Sequence, residues 1–373
     1  MKYVCEENKC AGCMACIEKC SKNAISIVDS FNVYNAVIDT KKCIKCGACH
    51  KVCPNNTQPK LNSPIKWVQG WASNETERMK SSSGGFATAI SKAFVLNGGY
   101  VCSCKFEHGC FVFDIVNDID KVELFRGSKY VKSNPVGIYS KITNLLASGN
   151  RVLFVGLPCQ VAAVKNYVGN RLQENLYSID LICHGTPSPK LLNAYLGQDF
   201  NIDITELQEI GFRNKTSFAL SNKGSRILPE RIQDKYTMAF LDSIDYTENC
   251  YSCRYATTKR VSDLTIGDSW SSGYSMEEAQ KGISLGLCQS KKGQWLLSIA
   301  ELFLTEVNIE QSIKSNRQLQ KPSLITSERE KFVKYYNKTG KFSLSVLMAK
   351  PLECVKQNVK YFMYRIRILS GGK

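Results

Sequence analysis

Histidine is scarce in this sequence: only His50, His108 and His184 are present. A cysteine or serine nucleophile needs a base beside it. His50 lies inside a cysteine motif, His184 directly follows a cysteine, and His108 has no motif around it. Histidine-assisted nucleophilic catalysis therefore has little to draw on. Long apolar runs are missing too. None approaches the ~18 residues of a membrane span, although 43% of the 373 residues are hydrophobic and a sizeable core can be buried. The opening stretch MKYVCEENKC lacks the apolar core of a secretory signal, so we expect a cytoplasmic location. Acidic residues are in deficit, 33 against 49 lysines and arginines, for a formal net charge of +16. A basic surface suits an acidic electron carrier, an anionic cofactor, anionic lipid or nucleic acid.

Cysteine, by contrast, is abundant, with 18 residues. In a reducing compartment that number argues for metal or redox chemistry rather than disulfides. Cys10, Cys13, Cys16 and Cys20 are followed by Cys43, Cys46, Cys49, Cys53 and Pro54, which is the two-cluster bacterial ferredoxin spacing written twice. Three thiolates on a tight loop reach three irons of one cube, and in this fold the fourth ligand comes from the other motif. Cys10, Cys13, Cys16 and Cys53 are thus expected to hold one 4Fe-4S cluster, and Cys20, Cys43, Cys46 and Cys49 a second. A pair of zinc sites is the alternative for the same cysteines. Ser21 stands where proline is usual after Cys20, so a looser turn is expected there. Cys5 lies outside the pattern and receives no role.

The stretch 54–66, PNNTQPKLNSPIK, reads as a linker. Beyond it the periodicity is mixed. Strands are expected at 100–104, 110–116, 152–155, 176–182, 215–220, 263–267 and 283–288. Helices are expected from Phe86 to the Gly98-Gly99 pair and at 137–148, 159–168, 188–199, 292–304 and 327–338. The fold class is α+β, an N-terminal two-cluster ferredoxin domain over 1–56 followed by a mixed α/β domain.

Four stretches carry possible chemistry. Ser81 to Gly85 precede a helix and expose amides and hydroxyls suited to a phosphate, or simply cap that helix. Arg126-Gly127-Ser128-Lys129-Tyr130 brings a cation, a hydroxyl and a ring together, or is an exposed turn. Cys159 and Cys183 each follow an apolar strand, where ligands meet in open α/β sheets; taken singly, each also fits a buried inert thiol. Cys250 and Cys253 form a CxxC pair. Together the last four supply the thiolates of a third 4Fe-4S cluster, with zinc as the alternative. Three clusters would lower the net charge only to about +10. Cys102, Cys104 and Cys110, with His108 nearby, read as core thiols on strands rather than a zinc site.

The segments SSSGGFATAIS, GSKYV, VGLPCQVAA, DLICHGTPSP, CYSCRYA and DLTIGDSW, in that order, resemble the beta subunit family of coenzyme F420 hydrogenase and dehydrogenase, here behind a ferredoxin. One departure is Ser271, which follows Trp270 where the family has glycine. The resemblance implies a flavin-binding domain over 67–310 after a linker at 57–66; the remaining 311–373, which no family motif covers, is expected to be a helical basic C-terminal region. It implies FAD beside one 4Fe-4S cluster, with Ser83, Gly84, Gly85, Lys129 and Tyr130 as FAD contacts. It further implies hydride exchange with coenzyme F420 or another two-electron substrate, supplied by a redox partner protein or a small molecule. Two-part bacterial members of this kind resemble proteins associated with surface-polysaccharide gene sets. The competing readings are a flavin-free electron-transfer adaptor and a zinc-stapled nucleic-acid binder; the ferredoxin repeat speaks against the second, and no nucleic acid is expected.

Residues 350–373 hold six basic residues and one acid, Glu353. Leu352, Val355, Val359, Phe362 and Ile366 recur at helical spacing, and Lys356, Lys360, Arg365 and Arg367 supply charge. Such a helix packs on its own domain with a solvated basic face, the favoured expectation, or makes peripheral contact with an anionic membrane.

Overall fold

The computed structural model of the chain describes residues 2–366. Arg367 and the rest of the basic tail lie outside the described residues. Two antiparallel strands, β1 (Ile25–Asp29) and β2 (Tyr34–Ile38), and two short helices, Ala15–Lys19 and Ala48–Val52, form the N-terminal unit. Asn23 N donates to Cys20 O at 3.1 Å across the turn in which Ser21 stands.

The remaining strands are β3 (Lys66–Ala72), β4 (Tyr100–Glu107), β5 (Cys110–Val116), β6 (Val152–Gly156), β7 (Leu176–Leu181), β8 (Gly211–Asn214), β9 (Ser217–Asn222), β10 (Ser225–Arg226), β11 (Leu264–Asp268), β12 (Ser284–Cys288) and β13 (Leu302–Thr305). Eight of them form one sheet in the order β13-β3-β12-β11-β7-β6-β4-β5, while β8, β9 and β10 form a small antiparallel sheet. Within the large sheet β11, β7, β6 and β4 run parallel, and the strands outside them pair antiparallel. A parallel strand covered on both faces must be apolar throughout. Val152-Leu153-Phe154-Val155 is such a run, and every residue of β6 is buried.

Helices Phe86–Leu96 and Lys291–Ile299 cover one face of the sheet, where Phe86, Ile90, Phe94 and Leu296 join its core. Helices Ile138–Ala147 and Pro158–Val168 cover the other, and the ferredoxin unit packs on them. Cys16, Ile25 and Tyr34 share one apolar cluster with Ile138, Val161 and Ala162. The Glu18 carboxylate accepts from Gly137 N at 2.9 Å and Ser140 N at 2.7 Å, capping helix Ile138–Ala147 from the neighbouring unit.

Three expectations are corrected. The stretch 66–72 gave no strand signal, yet β3 pairs with β12 and β13 inside the sheet. Gln69 and Gly70 interrupt its apolar pattern, and cross-strand pairing overrides weak local preference. The helix expected over 292–304 stops at Ile299, because Leu302–Thr305 pairs with β3. The strand expected over 215–220 is β9, which begins only at Ser217 because a hairpin turn from β8 holds Lys215 at φ +53°.

The linker segment is tied down: Asn62 and Arg260 exchange backbone hydrogen bonds of 2.8 and 2.9 Å. Among the three cysteines expected as core thiols, Cys102 is fully buried and Cys104 partly so, while Cys110 is exposed at the start of β5. The tail helix, Pro351–Arg365, buries only Cys354 and Gln357, not the apolar series expected to pack on the domain.

Candidate functional site

Pro158 opens the helix after β6, a position where its missing N–H costs nothing, and Gln160 Oε1 accepts from Leu157 N at 2.9 Å. This fixes Cys159 in the first helical turn. Cys183 follows the adjacent strand β7, so the two thiols meet at the carboxyl ends of neighbouring parallel strands. The turn at Glu248–Ser252 brings Cys250 and Cys253 opposite them. The four cysteines line one cavity of about 270 Å³.

Four thiols around one shared space are the donor set that a 4Fe-4S cluster takes, and zinc can take the same four. Burial pushes the Cys159 thiol up to about 12 and the Cys183 thiol above its ordinary range. Without a metal to hold its thiolate, Cys159 is a neutral, weak nucleophile.

Two buried cations flank this cavity. Lys132 Nζ donates to Ala11 O and Thr186 Oγ1, both at 3.1 Å. The Thr186 hydroxyl in turn lies 3.8 Å from Cys250 Sγ, where its proton can be given to sulfur. On the other side Arg260 Nη2 pairs with Asp180 at 3.0 Å and donates to Leu181 O at 2.7 Å, while its other nitrogen donates to Tyr255 O at 2.5 Å. Arg260 is balanced by Asp180, which leaves Lys132, among the described residues, as the buried cation free to offset thiolates at this cavity. Neither residue carries a motif signal beyond standing just after GSKYV or CYSCRYA.

The ferredoxin cysteines form two sets of different exposure. Cys10, Cys13, Cys16 and Cys53 are buried and line one cavity. Cys5 lines it with them and lies against Cys10 and Cys53, although its position in the sequence gave it no role. Cys20, Cys43 and Cys49 are half-buried and Cys46 is exposed. Backbone amides of Ala24 and Lys45 donate to Cys20 and Cys43 Sγ, each at 3.4 Å. The sets adjoin: Cys16 lies close enough to Cys49, and Cys13 to Cys159, for their charges to interact. Tyr255 is buried beside Cys159, Cys253 and Cys13.

The two phosphate-type stretches also meet. Ser128 N donates to Ser82 Oγ at 3.1 Å, and Arg126 Nη1 donates to Ser81 Oγ at 3.2 Å. Of the expected contacts, however, Ser83 Oγ donates to Ile283 O, and half-buried Lys129 Nζ donates to Phe125 O and Arg126 O. Gly84 is there because the backbone passes too close for a side chain: a Cβ would sit 2.5 Å from Gly70 O. Gly85 begins the helix at φ +93°, a left-handed conformation that favours glycine. These four have structural work already. Tyr130 differs, because its ring stacks on Phe240 at 4.2 Å and faces Phe218 at 6.0 Å.

Cations missed from the sequence surround these stretches. Lys215 is buried and donates to Ser83 O at 3.0 Å and to Arg78 O, and among the described residues it has no carboxylate partner. Burial and the neighbouring arginines 78, 213 and 126 pull its ammonium down to about 8. Arg213 forms a two-pronged pair with Asp268 at 2.6 and 2.7 Å and lies over the rings of Phe218 and Trp270. His184, next to Cys183 and exposed at the cavity mouth, lies near this pair. A surplus cation beside flat aromatic surfaces fits an anionic aromatic cofactor.

Residues 149–311 match the family model for the C terminus of the coenzyme F420 hydrogenase/dehydrogenase beta subunit. Residues 9–57 match a 4Fe-4S dicluster domain. Among solved structures, the chain is similar to one titled as a xenon derivatization of the F420-reducing NiFe hydrogenase complex from Methanosarcina barkeri. That likeness has 15% identity and a TM-score of 0.46, and covers 75% of this chain and 96% of the other. No curated protein matches the chain.

Proposed function

We propose that this chain, whose residues 149–311 match the model for the C terminus of the coenzyme F420 hydrogenase/dehydrogenase beta subunit and whose residues 9–57 match a 4Fe-4S dicluster domain, is an FAD-dependent iron-sulfur oxidoreductase. Electrons pass between the surface and the interior through three 4Fe-4S clusters. The exposed set of Cys20, Cys43, Cys46 and Cys49 meets the redox partner. The buried set of Cys10, Cys13, Cys16 and Cys53 relays to the set of Cys159, Cys183, Cys250 and Cys253. The observation that carries this reading is the convergence of the last four thiols on one cavity adjoining Cys13.

FAD, when bound, supplies the exchange between single-electron and hydride chemistry. Lys215, a cation without a carboxylate partner among the described residues, has one N–H left beyond its two carbonyl acceptors for a phosphate. Arg213 is held by Asp268 and braces the rings of Phe218 and Trp270; with Tyr130 these rings offer FAD apolar faces. Lys132, which has no carboxylate partner among the described residues, offsets the negative charge of the thiolates, while Arg260 is balanced by Asp180 and braces the loop after Cys253. The substrate is coenzyme F420 or another two-electron acceptor or donor, in the reducing cytoplasm. Resemblance to two-part bacterial members suggests surface-polysaccharide chemistry as its setting.

A flavin-free adaptor is the second reading, favoured by the internal engagement of Ser83 and Lys129. Anaerobic purification followed by absorbance and acid extraction tests both. Released FAD, reducible through the clusters and reoxidised by a two-electron acceptor, supports the oxidoreductase. Three clusters that bind no FAD on reconstitution leave the adaptor.

A further inference from the structure

The helix Pro351–Arg365 is seated on the body through one side. Cys354 joins the core beneath it, and Gln357 Oε1 accepts from Gln233 N at 3.0 Å. Leu352, Val355, Val359, Phe362 and Ile366 fall on an arc of about 80° at helical periodicity. That arc is turned away from Cys354 and Gln357. All five side chains are exposed, from 48% at Ile366 to 87% at Leu352. Apolar surface gathered this way on a charged helix marks a contact rather than scatter.

Charge decides what the contact is. Lys356 and Lys360 border the stripe on one side and Arg365 on the other. The helix has one carboxylate, Glu353, and it is engaged by Gln357 Nε2 at 2.6 Å and Lys356 Nζ at 3.5 Å. Tyr361 and Tyr364 are also exposed. The stripe therefore offers apolar depth, cationic margins and amphipathic rings, with no fixed polar pattern to read a protein surface.

We propose that this helix is a peripheral anchor for anionic lipid, lying in the plane of the bilayer interface with Leu352, Val355, Val359 and Phe362 in the acyl boundary. Lys356 and Arg365 reach the headgroups, and Lys360, whose Nζ donates to Arg231 O at 3.5 Å, adds its charge from the side next to the body. The proposal is independent of the electron-transfer reading, since it uses none of the cysteines.

Co-sedimentation of the full chain with vesicles tests it. Wild-type protein is expected to pellet with mixed phosphatidylcholine–phosphatidylglycerol vesicles, far less with phosphatidylcholine alone, and less as salt rises. The variant L352E/V359E/F362E changes only exposed positions, and retained iron content and circular dichroism check its fold. It should lose at least about tenfold in partitioning, the worth of one large buried apolar side chain. The variant K356Q/K360Q/R365Q should lose the preference for anionic vesicles. Absence of wild-type binding, or equal pelleting by wild type and the glutamate variant, overturns the proposal. So does light scattering in which wild type is a dimer that shuns vesicles and the glutamate variant a monomer, for then the stripe joins two copies.

Discussion

Arg260 and Asp180 form an ion pair of 3.0 Å in which both side chains are withdrawn from solvent. The pair ties the loop after Cys253 to the end of β7, from which Cys183 emerges. Removing one partner leaves the other charge buried and alone, at a cost of roughly 3–5 kcal/mol. Arg260→Leu should lower stability by that amount in chemical denaturation. It should also loosen the Cys253 side of the cavity, so iron is lost there before it is lost from the ferredoxin unit.

Anaerobically prepared protein is expected to contain about twelve irons and twelve sulfides, from three 4Fe-4S cores. Cys250→Ser combined with Cys253→Ser should remove about four of each and leave the ferredoxin signals. Cys159→Ala should do likewise. Metal analysis is the readout. Full iron content in an inactive Cys159→Ala protein would instead make this cysteine a nucleophile, and zinc in place of iron would make the site a structural staple.

Lys132 touches the ferredoxin loop through Ala11 and the third cysteine set through Thr186. A buried cation favours the more negative, reduced state of any cluster beside it. Lys132→Gln should shift the potentials of both neighbouring clusters downward, on the order of 100 mV. Potentiometric titration followed by electron paramagnetic resonance measures this. Unchanged potentials in a folded variant would reduce Lys132 to a structural strut.

Lys215 gives the proposed cofactor site a pH signature. Its ammonium is held down to about 8 by burial and by Arg78, Arg213 and Arg126, with Asp268 opposing them. Below that value Lys215 is charged and attracts phosphate; above it the attraction fades. Affinity for added FAD should therefore fall as pH rises through about 8, and Lys215→Met should flatten the profile. For the unliganded fold the sign is opposite. The unfolded chain keeps this proton up to the ordinary value of 10.5, so the group's contribution to stability rises between about 8 and 10.5. Equilibrium dialysis and denaturation across that range separate the two effects.

The twelve cysteines singled out were legible because cluster chemistry demands one residue type at fixed spacing, and Cys159 and Cys183 sit where parallel strands end. Lys132, Arg260 and Tyr255 were not legible. Each acts through side chains brought together from distant segments, and a lone lysine, arginine or tyrosine carries no spacing signal. Cys5 failed for the same reason: its place beside Cys10 and Cys53 is set by packing. The glycines at 84 and 85 were noticed, but close backbone passage and a left-handed turn need glycine as much as a phosphate would. Strand β3 was missed because its partners, β12 and β13, lie more than two hundred residues away.

Glu18 closes the end of a helix that belongs to the other unit, and Tyr139 from that helix donates to Cys13 O. The ferredoxin is therefore a fixed organ of the molecule and not a tethered shuttle. On the proposed path, passage of an electron from the Cys13 side towards Cys159 would need no search, no encounter and no release. Its rate would be first-order, indifferent to dilution and nearly indifferent to salt. Concentration and ionic strength would act only on the proposed exchange with a partner at the exposed Cys46 side.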